Sequence, residues 1–255
     1  MMAYVQQILS SALLLGFGVL ALLVWRRFGP VRRDRAALAW SLTATNFLVV
    51  GIYCSVQSLL SAVGASIGVK SDLYLFVSRW SPAANLARGI VSVLFGAMLL
   101  VLMVSRRRWG ARVAAAAPAV LTIAAVLFTV ALHRLPYTNA YAFLTQFALV
   151  TALTAVVLMA ALFAAVHNDG LDQLLWLALA VYTLKETMTV SFLAVMAAWT
   201  MTYAATYWTV FYWVLPVLGA IMAGLAGRRL QLAAGGRRVP AAFEAVHALR
   251  RPVHG

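Results

Sequence analysis

The sequence predicts an all-α integral membrane protein, a polytopic bundle of seven transmembrane helices. Of its 255 residues, 64% are hydrophobic and only 10% are charged, a balance outside the range of soluble domains. Seven apolar stretches each have about 20 residues or more, the length that crosses a hydrocarbon core of roughly 30 Å. Clusters of arginine follow the first, third and seventh stretches, as expected of loops that hold a membrane protein in one orientation.

The predicted spans are helical because a backbone in lipid must pair its own N–H and C=O groups. The first is predicted to be a retained helix and not a signal peptide, since no basic segment precedes it and Trp25, Arg26 and Arg27 follow it where a small-residue cleavage site would lie. Residues 1–227 are therefore predicted to form the transmembrane domain, and residues 228–255 a basic cytoplasmic tail. The spans are 6–25, 36–60, 83–104, 112–133, 141–166, 173–198 and 206–227.

The basic residues predict the orientation of the bundle. Fifteen of the 20 lysines and arginines follow spans one, three and seven, whereas the opposite loops hold only Lys70, Arg79, Arg88 and Arg134. By the positive-inside rule the N-terminus is outside and the C-terminus is cytoplasmic, and an odd number of spans agrees. The bacterium-like composition suggests a bacterial inner membrane as the location.

The net charge of +14 does not indicate nucleic-acid binding, because the arginines lie at helix ends and no soluble domain carries a basic face. We expect the basic inner face to contact anionic lipids. Within the tail, residues 240–251 are predicted to form an amphipathic helix on the inner leaflet. A protein partner or a homo-oligomer is also expected.

Residues 61–81, between spans two and three, are too long for a simple turn. They are predicted to include a short helix in the outer interface, after which Ser81 and Pro82 start span three as its N-cap and first-turn proline. The apolar residues of the short helix recur at helical spacing: Leu73, Phe76, Val77 and Trp80.

Lys185 and Glu186 lie near the middle of span six, about 18 Å along a helix that begins near Gln173. A charge at this depth costs roughly 2.5 to 3.5 kcal/mol, so both side chains are predicted to face the interior of the bundle. Adjacent residues of a helix point about 100° apart. Each charge is therefore expected to meet a group on another helix instead of its neighbour.

Other polar residues are predicted to complete a pocket around this pair. Two explanations remain open for the set: a ligand or ion site that opens toward the outer half, and a hydrogen-bonded network that holds the helices together. The residues at similar depth are Tyr182 and Thr189 on span six, Asn46 on span two and Gln146, Thr151 and Thr154 on span five, with Tyr53 and Gln57 nearer the outside.

A second group of residues points to an enzyme. Cys54, the segment Asn85-Leu-Ala-Arg88 and His133 lie near the outer ends of spans two, three and four. This set resembles the Cys, Asn-x-x-Arg and His elements of exosortases and archaeosortases, which are membrane-embedded cysteine transpeptidases. The resemblance implies that the Cys54 thiolate attacks a peptide carbonyl, that His133 handles the proton, and that Arg88 stabilises the developing negative charge.

No cofactor, metal or disulfide is predicted. The chain resembles microbial rhodopsins in length, in its outside N-terminus and in its buried lysine. Span seven has no lysine for a retinal Schiff base, however, and span three has no acidic counter-ion. The four histidines form no facing pair in mid-membrane, and a single cysteine cannot form an intrachain disulfide.

The sequence leaves more than one class of function open. The first is a ligand-sensing or receptor-like module, which resembles in topology the seven-helix input modules of bacterial signalling proteins. Such a module is expected to need a partner, because no kinase or cyclase sequence follows the helices. The second is a transporter or a structural subunit, in which Lys185 and Glu186 line a path or join an assembly. The receptor-like module and the transporter or structural subunit would not be enzymes, whereas the transpeptidase would be.

Overall fold

The computed structural model describes residues 2–32, 35–68, 71–105, 107–133, 140–168, 171–198 and 201–235. Nearly all of these residues are helical, which confirms the all-α prediction for this part of the chain. The predicted amphipathic segment 240–251 lies outside the described residues. The seven helices are α1 (Met2–Arg32), α2 (Arg35–Ile67), α3 (Asp72–Val104), α4 (Arg107–His133), α5 (Ala140–Asn168), α6 (Gln173–Ala198) and α7 (Met201–Ala234).

Among the described residues, six helices, all but α6, are long and apolar enough to cross a membrane. Large apolar side chains also cover the outside of the bundle: Leu127, Leu149 and Phe163 are 62%, 70% and 69% exposed. Contiguous apolar surface of this kind marks contact with lipid or with another protein. These are the features of a multi-pass membrane protein. The middle of α6 holds Lys185, Glu186 and several threonines.

Six helices pack in a closed ring in the order α1, α2, α3, α5, α6, α7, and α4 packs outside the ring against α2 and α3. Aromatic rings fill the centre. Phe47 packs edge-on against Phe17, Phe95 and Tyr182, with ring centroids 4.7, 6.1 and 4.8 Å apart. This cluster joins α1, α2, α3 and α6 at mid-height.

Glycines allow neighbouring helices to approach closely. A Cβ atom at Gly51 of α2 would lie 2.7 Å from the Cα of Leu15, and one at Gly18 of α1 would lie 2.8 Å from the backbone nitrogen of Leu48. In lipid the hydrophobic effect does not hold helices together, so close van der Waals packing at small residues takes its place. The antiparallel pair of α1 and α2 is packed in this way.

The connection from α2 to α3 differs from the prediction. Helix α2 ends at Ile67, where Gly68 adopts a φ of +133°, a value that favours glycine. Ser71 then caps α3, because its hydroxyl accepts a hydrogen bond of 3.2 Å from the N–H of Tyr74. The N-cap of α3 is therefore Ser71. Our prediction that Ser81 caps this helix was wrong.

The short helix predicted between spans two and three is not separate in the structure. Its residues form the first turns of α3, which continues through Pro82 to Val104. A proline removes only one N–H from the helical ladder, and packing against a neighbouring helix can compensate for that loss. Here Gln57 of α2 donates a hydrogen bond of 2.7 Å to the hydroxyl of Ser81.

We call one end of the bundle the arginine end. It is the end at which α1, α3, α5 and α7 finish and α2, α4 and α6 begin. Arg35 at the start of α2 donates a hydrogen bond of 2.8 Å to the backbone oxygen of Ser105 at the end of α3, which ties these two helices together there. The arginines of the described chain at this end include Arg26, Arg27, Arg108, Arg112 and Arg228.

A buried carboxylate connects three helices at the arginine end. Oδ2 of Asp172 accepts hydrogen bonds from Nε1 of Trp40, at 2.7 Å, and from Nε of Arg229, at 3.0 Å. Its Oδ1 accepts the N–H of Leu175 at 3.0 Å and so caps α6. Asp172 and Arg229 are only 5% and 7% exposed. The start of α6 is therefore attached to the start of α2 and to the end of α7.

Asp172→Ala is expected to destabilise the bundle by about 3 kcal/mol, because it leaves the Arg229 guanidinium buried without its carboxylate. Thermal unfolding in detergent measures the loss, and Gln173→Ala, at the exposed neighbouring position, is the control. The double variant Asp172→Leu with Arg229→Met should recover part of the loss. A single variant as stable as the control would show that the cluster contributes little.

Candidate functional site

A cavity of about 400 Å³ lies inside the ring of helices, in the half away from the arginine end. Its lining is divided by chemistry. Helices α1, α2 and α3 contribute most of the polar side chains, and α6 adds Lys185 and Thr189. An apolar wall opposite α1, α2 and α3 includes Phe147 of α5, Phe192 of α6 and Leu215 of α7. A concave space that combines apolar side chains with placed polar groups is typical of a small-molecule site. The polar residues include Gln7, Ser11, Gln57, Ser58, Ser81 and Asn85.

Arg88 of α3 lies at the deep end of the cavity. Its Nη1 is 3.4 Å from Sγ of Cys54 on α2, and its guanidinium lies over the ring of Phe147, 5.6 Å from the centroid. No carboxylate within the described residues forms an ion pair with it. A thiol and an aromatic face are weak partners for a guanidinium, which has five N–H donors.

Lys185 and Glu186 are joined to each other. Nζ of Lys185 lies 2.5 Å from Oε1 of Glu186, so our prediction that these two neighbours would not pair with each other was wrong. Although the two Cα–Cβ bonds diverge, the lysine side chain is long enough to bend across the helix. It also lies over the ring of Tyr182, 5.0 Å from the centroid. The Glu186 carboxylate additionally interacts electrostatically with Arg88.

The other two predicted residues of α6 lie against the same space. Thr189 lines the cavity, and its hydroxyl donates to the backbone oxygen of Lys185 at 2.9 Å. Tyr182 is 2% exposed and lies below the cavity, where its hydroxyl is 3.1 Å from that of Ser92. Val50 of α2 is 3% exposed and, like Tyr182, lies nearer the arginine end than the residues of its helix that line the cavity.

Several of the predicted pocket residues are not brought to the cavity. Tyr53 of α2 instead faces α4, where its hydroxyl lies 2.5 Å from that of Thr129. Gln146 lies on the exposed face of α5. Asn46 is fully buried, but neither its Oδ1 nor its Nδ2 has a hydrogen-bond partner among the described residues, and it does not line the cavity. The depth of a residue in a span does not give the rotation of the helix about its axis. That rotation decides whether the side chain points into the bundle.

The three residues implied by the transpeptidase resemblance are only partly together. Cys54 and Arg88 are in contact, and Asn85 lines the cavity beside them. His133 instead stacks on the ring of Trp80, with centroids 3.6 Å apart and planes 4° apart. Its Nδ1 is buried without a hydrogen-bond partner in the described part of the chain, and the residue does not line the cavity.

The polar face of α1 was not predicted. Gln7, Ser10 and Ser11 line the cavity, and the Ser11 hydroxyl lies 3.1 Å from that of Ser58 on α2. The spacing of Gln7, Ser11 and Leu14, four and then three residues apart, places them on one face of a helix. Polar residues are uncommon inside an apolar span, so this spacing in the sequence could have indicated that α1 contributes to the cavity. The described residues contain no group of three or more metal-ligating side chains.

Comparisons of the chain with protein-family models, with curated proteins and with solved structures found no match.

Lys185→Met is expected to destabilise the protein by about 3 kcal/mol, because Glu186 stays buried without its nearest cation. Glu186→Gln should cost less, since the remaining lysine faces the cavity, where water can solvate it. Thermal unfolding in detergent compares the two, with Leu184→Met at the neighbouring exposed position as the control. Equal stability of Lys185→Met and its control would show that the pair has no structural role.

Proposed function

We propose that this chain is a seven-span receptor-like membrane module, which binds a small molecule in its cavity and signals through a partner protein. The cavity is the observation that supports this proposal most. It combines about 400 Å³ of space, a polar side, an apolar wall and a cation without an ion-pair partner in the described chain. A network that served assembly alone would have no need of such space.

In this proposal α6 also crosses the membrane, which brings the number of spans to seven. Its 26 residues reach about 39 Å, enough to cross a bilayer, and Lys185, Glu186 and Thr189 are turned inward, away from lipid. The positive-inside rule then places the arginine end in the cytoplasm, against anionic lipids, and the mouth of the cavity outside. The membrane would be a bacterial inner membrane, and the first turns of α3 would lie in its outer interface.

The core between the cavity and the arginine end is closely packed. Val50, Ser92 and Tyr182 lie nearer that end than the lining residues of their helices and are almost fully buried. A receptor needs only a site on one side and a rigid connection to the other. Such a connection exists in α6, which lines the cavity through Thr189 and is attached to the end of α7 through Asp172.

Filling the cavity should abolish ligand binding. Ser58→Phe places a ring in the cavity, whereas the matched variant Val56→Phe places the same ring on the exposed face of α2. Each protein is purified in mild detergent, and its co-purifying small molecules are identified by mass spectrometry and its partner proteins by gel. The parent and Val56→Phe should retain a molecule that Ser58→Phe lacks. Equal content in both variants would rule out the cavity as the binding site.

The transpeptidase is the second candidate, and the contact between Arg88 and Cys54 favours it. A guanidinium beside a sulfur stabilises the thiolate, which is the nucleophilic form. In a transpeptidase the thiolate would attack a peptide carbonyl, release an amine and retain the acyl group as a thioester.

The receptor and the transpeptidase differ in what they require of Cys54. For a receptor, Cys54→Ala should retain the parent's bound small molecule, because a buried thiol contributes mainly packing. Intact-mass spectrometry of the parent, purified from cells, tests the alternative directly. An acyl adduct on the parent that is absent from Cys54→Ala would contradict the receptor and establish the enzyme.

A further inference from the structure

We propose that the cavity binds a monoanion, the carboxylate of a small amphipathic molecule, and that Arg88 is its charge contact. This inference rests on the proposed function, because it names the class of ligand that the receptor would take. It follows from the charges, the hydrogen-bond donors and the two chemically different sides of the cavity.

The charges at the deep end do not balance. Arg88 and Lys185 are cations, and Glu186 is the only carboxylate among the described residues that acts on them. One positive charge is therefore in excess. A charge below the surface of a membrane protein is costly unless it is paired, so an anion in the cavity would be stabilised there.

Arg88 carries the excess charge because Lys185 is already satisfied. Nζ of Lys185 lies 2.5 Å from a Glu186 oxygen and over the Tyr182 ring. Arg88 has a sulfur at 3.4 Å and an aromatic face at 5.6 Å, and the structure gives it no oxygen acceptor in the described residues. The planar guanidinium fits a carboxylate through two parallel N–H bonds, which makes this headgroup the best match.

A monoanion fits better than a dianion. One negative charge neutralises the single excess cation, whereas a phosphate dianion would leave a negative charge beside Glu186. The remaining surface describes the rest of the ligand. An apolar portion would lie against Phe147, Phe192 and Leu215, and hydroxyl or amide groups would face the serines and glutamines of α1, α2 and α3.

Matched probes test this charge preference. The purified protein in nanodiscs is titrated by calorimetry with 3-phenylpropanoate and its neutral amide, and with decanoate and decanamide, with empty nanodiscs subtracted. The carboxylate of at least one pair should bind about ten-fold more tightly than its amide, as expected for charge-assisted hydrogen bonds. Preference for the phenyl pair indicates a water-soluble acid, and preference for the decanoyl pair indicates a lipid acyl chain.

Variants identify the contact. Arg88→Gln should remove the preference for carboxylate while the amide still binds, and Arg88→Lys should retain part of it. Glu186→Gln adds one net positive charge and should strengthen carboxylate binding. Arg26→Gln, which removes an exposed arginine at the arginine end, is the matched control and should behave as the parent does.

The inference and the proposed function can fail separately. Equal binding of amide and carboxylate would overturn the monoanion while still demonstrating a ligand site. A preference for decyltrimethylammonium over decanoate would also overturn it, and would make Glu186 the contact. Failure of every probe to bind would overturn the inference as well, and the comparison of Ser58→Phe with Val56→Phe would still decide the proposed function.

Discussion

The ion pair between Lys185 and Glu186 is the constraint on which the rest of the bundle depends, because two charges in the middle of a helix of this apolar bundle are costly unless they are paired and turned inward. Pairing at 2.5 Å removes much of the cost, and the turn of α6 toward the cavity and the Tyr182 ring removes more. This requirement fixes the rotation of α6. The same rotation turns Thr189 into the cavity and exposes Leu184 on the opposite side.

The two ends of the bundle are built differently. At the arginine end, the Asp172 carboxylate binds Trp40 and Arg229 and leaves α2, α6 and α7 closely joined. At the other end the same helices separate around a cavity with polar and apolar sides. Continuous helices connect the closely packed end of the bundle to the open end. In the proposed receptor, a ligand that shifts α6 in the open half would therefore act on α7 through the contact between Asp172 and Arg229.

Much of the fold could be predicted from the sequence, because span length and hydropathy follow from the thickness of a bilayer. The bounds of α6 agree with the prediction at both ends. The start of α3 could not be predicted in the same way, since Ser81 and Pro82 look like a helix start although the chain is already helical at Asp72. Within the site, Lys185 and Thr189, which were chosen for their depth in the span, line the cavity. The rotation of α5 about its axis, which turns Gln146 away from the cavity, depends on how the bundle packs. The same holds for the conformation of the Lys185 side chain, which brings its amine to Glu186.

The direction in which α6 faces can be measured by cysteine labelling. In a Cys54→Ser background, single cysteines at positions 189 and 193, which line the cavity, are compared with cysteines at the exposed positions 177 and 184 for reaction with a water-soluble maleimide in nanodiscs. A thiol reacts as thiolate and therefore needs water. Rapid labelling at 189 and 193, with little at 177 and 184, is the predicted result. The reverse pattern would mean that the charged face of α6 is turned away from the cavity, and would contradict both the cavity and its proposed ligand.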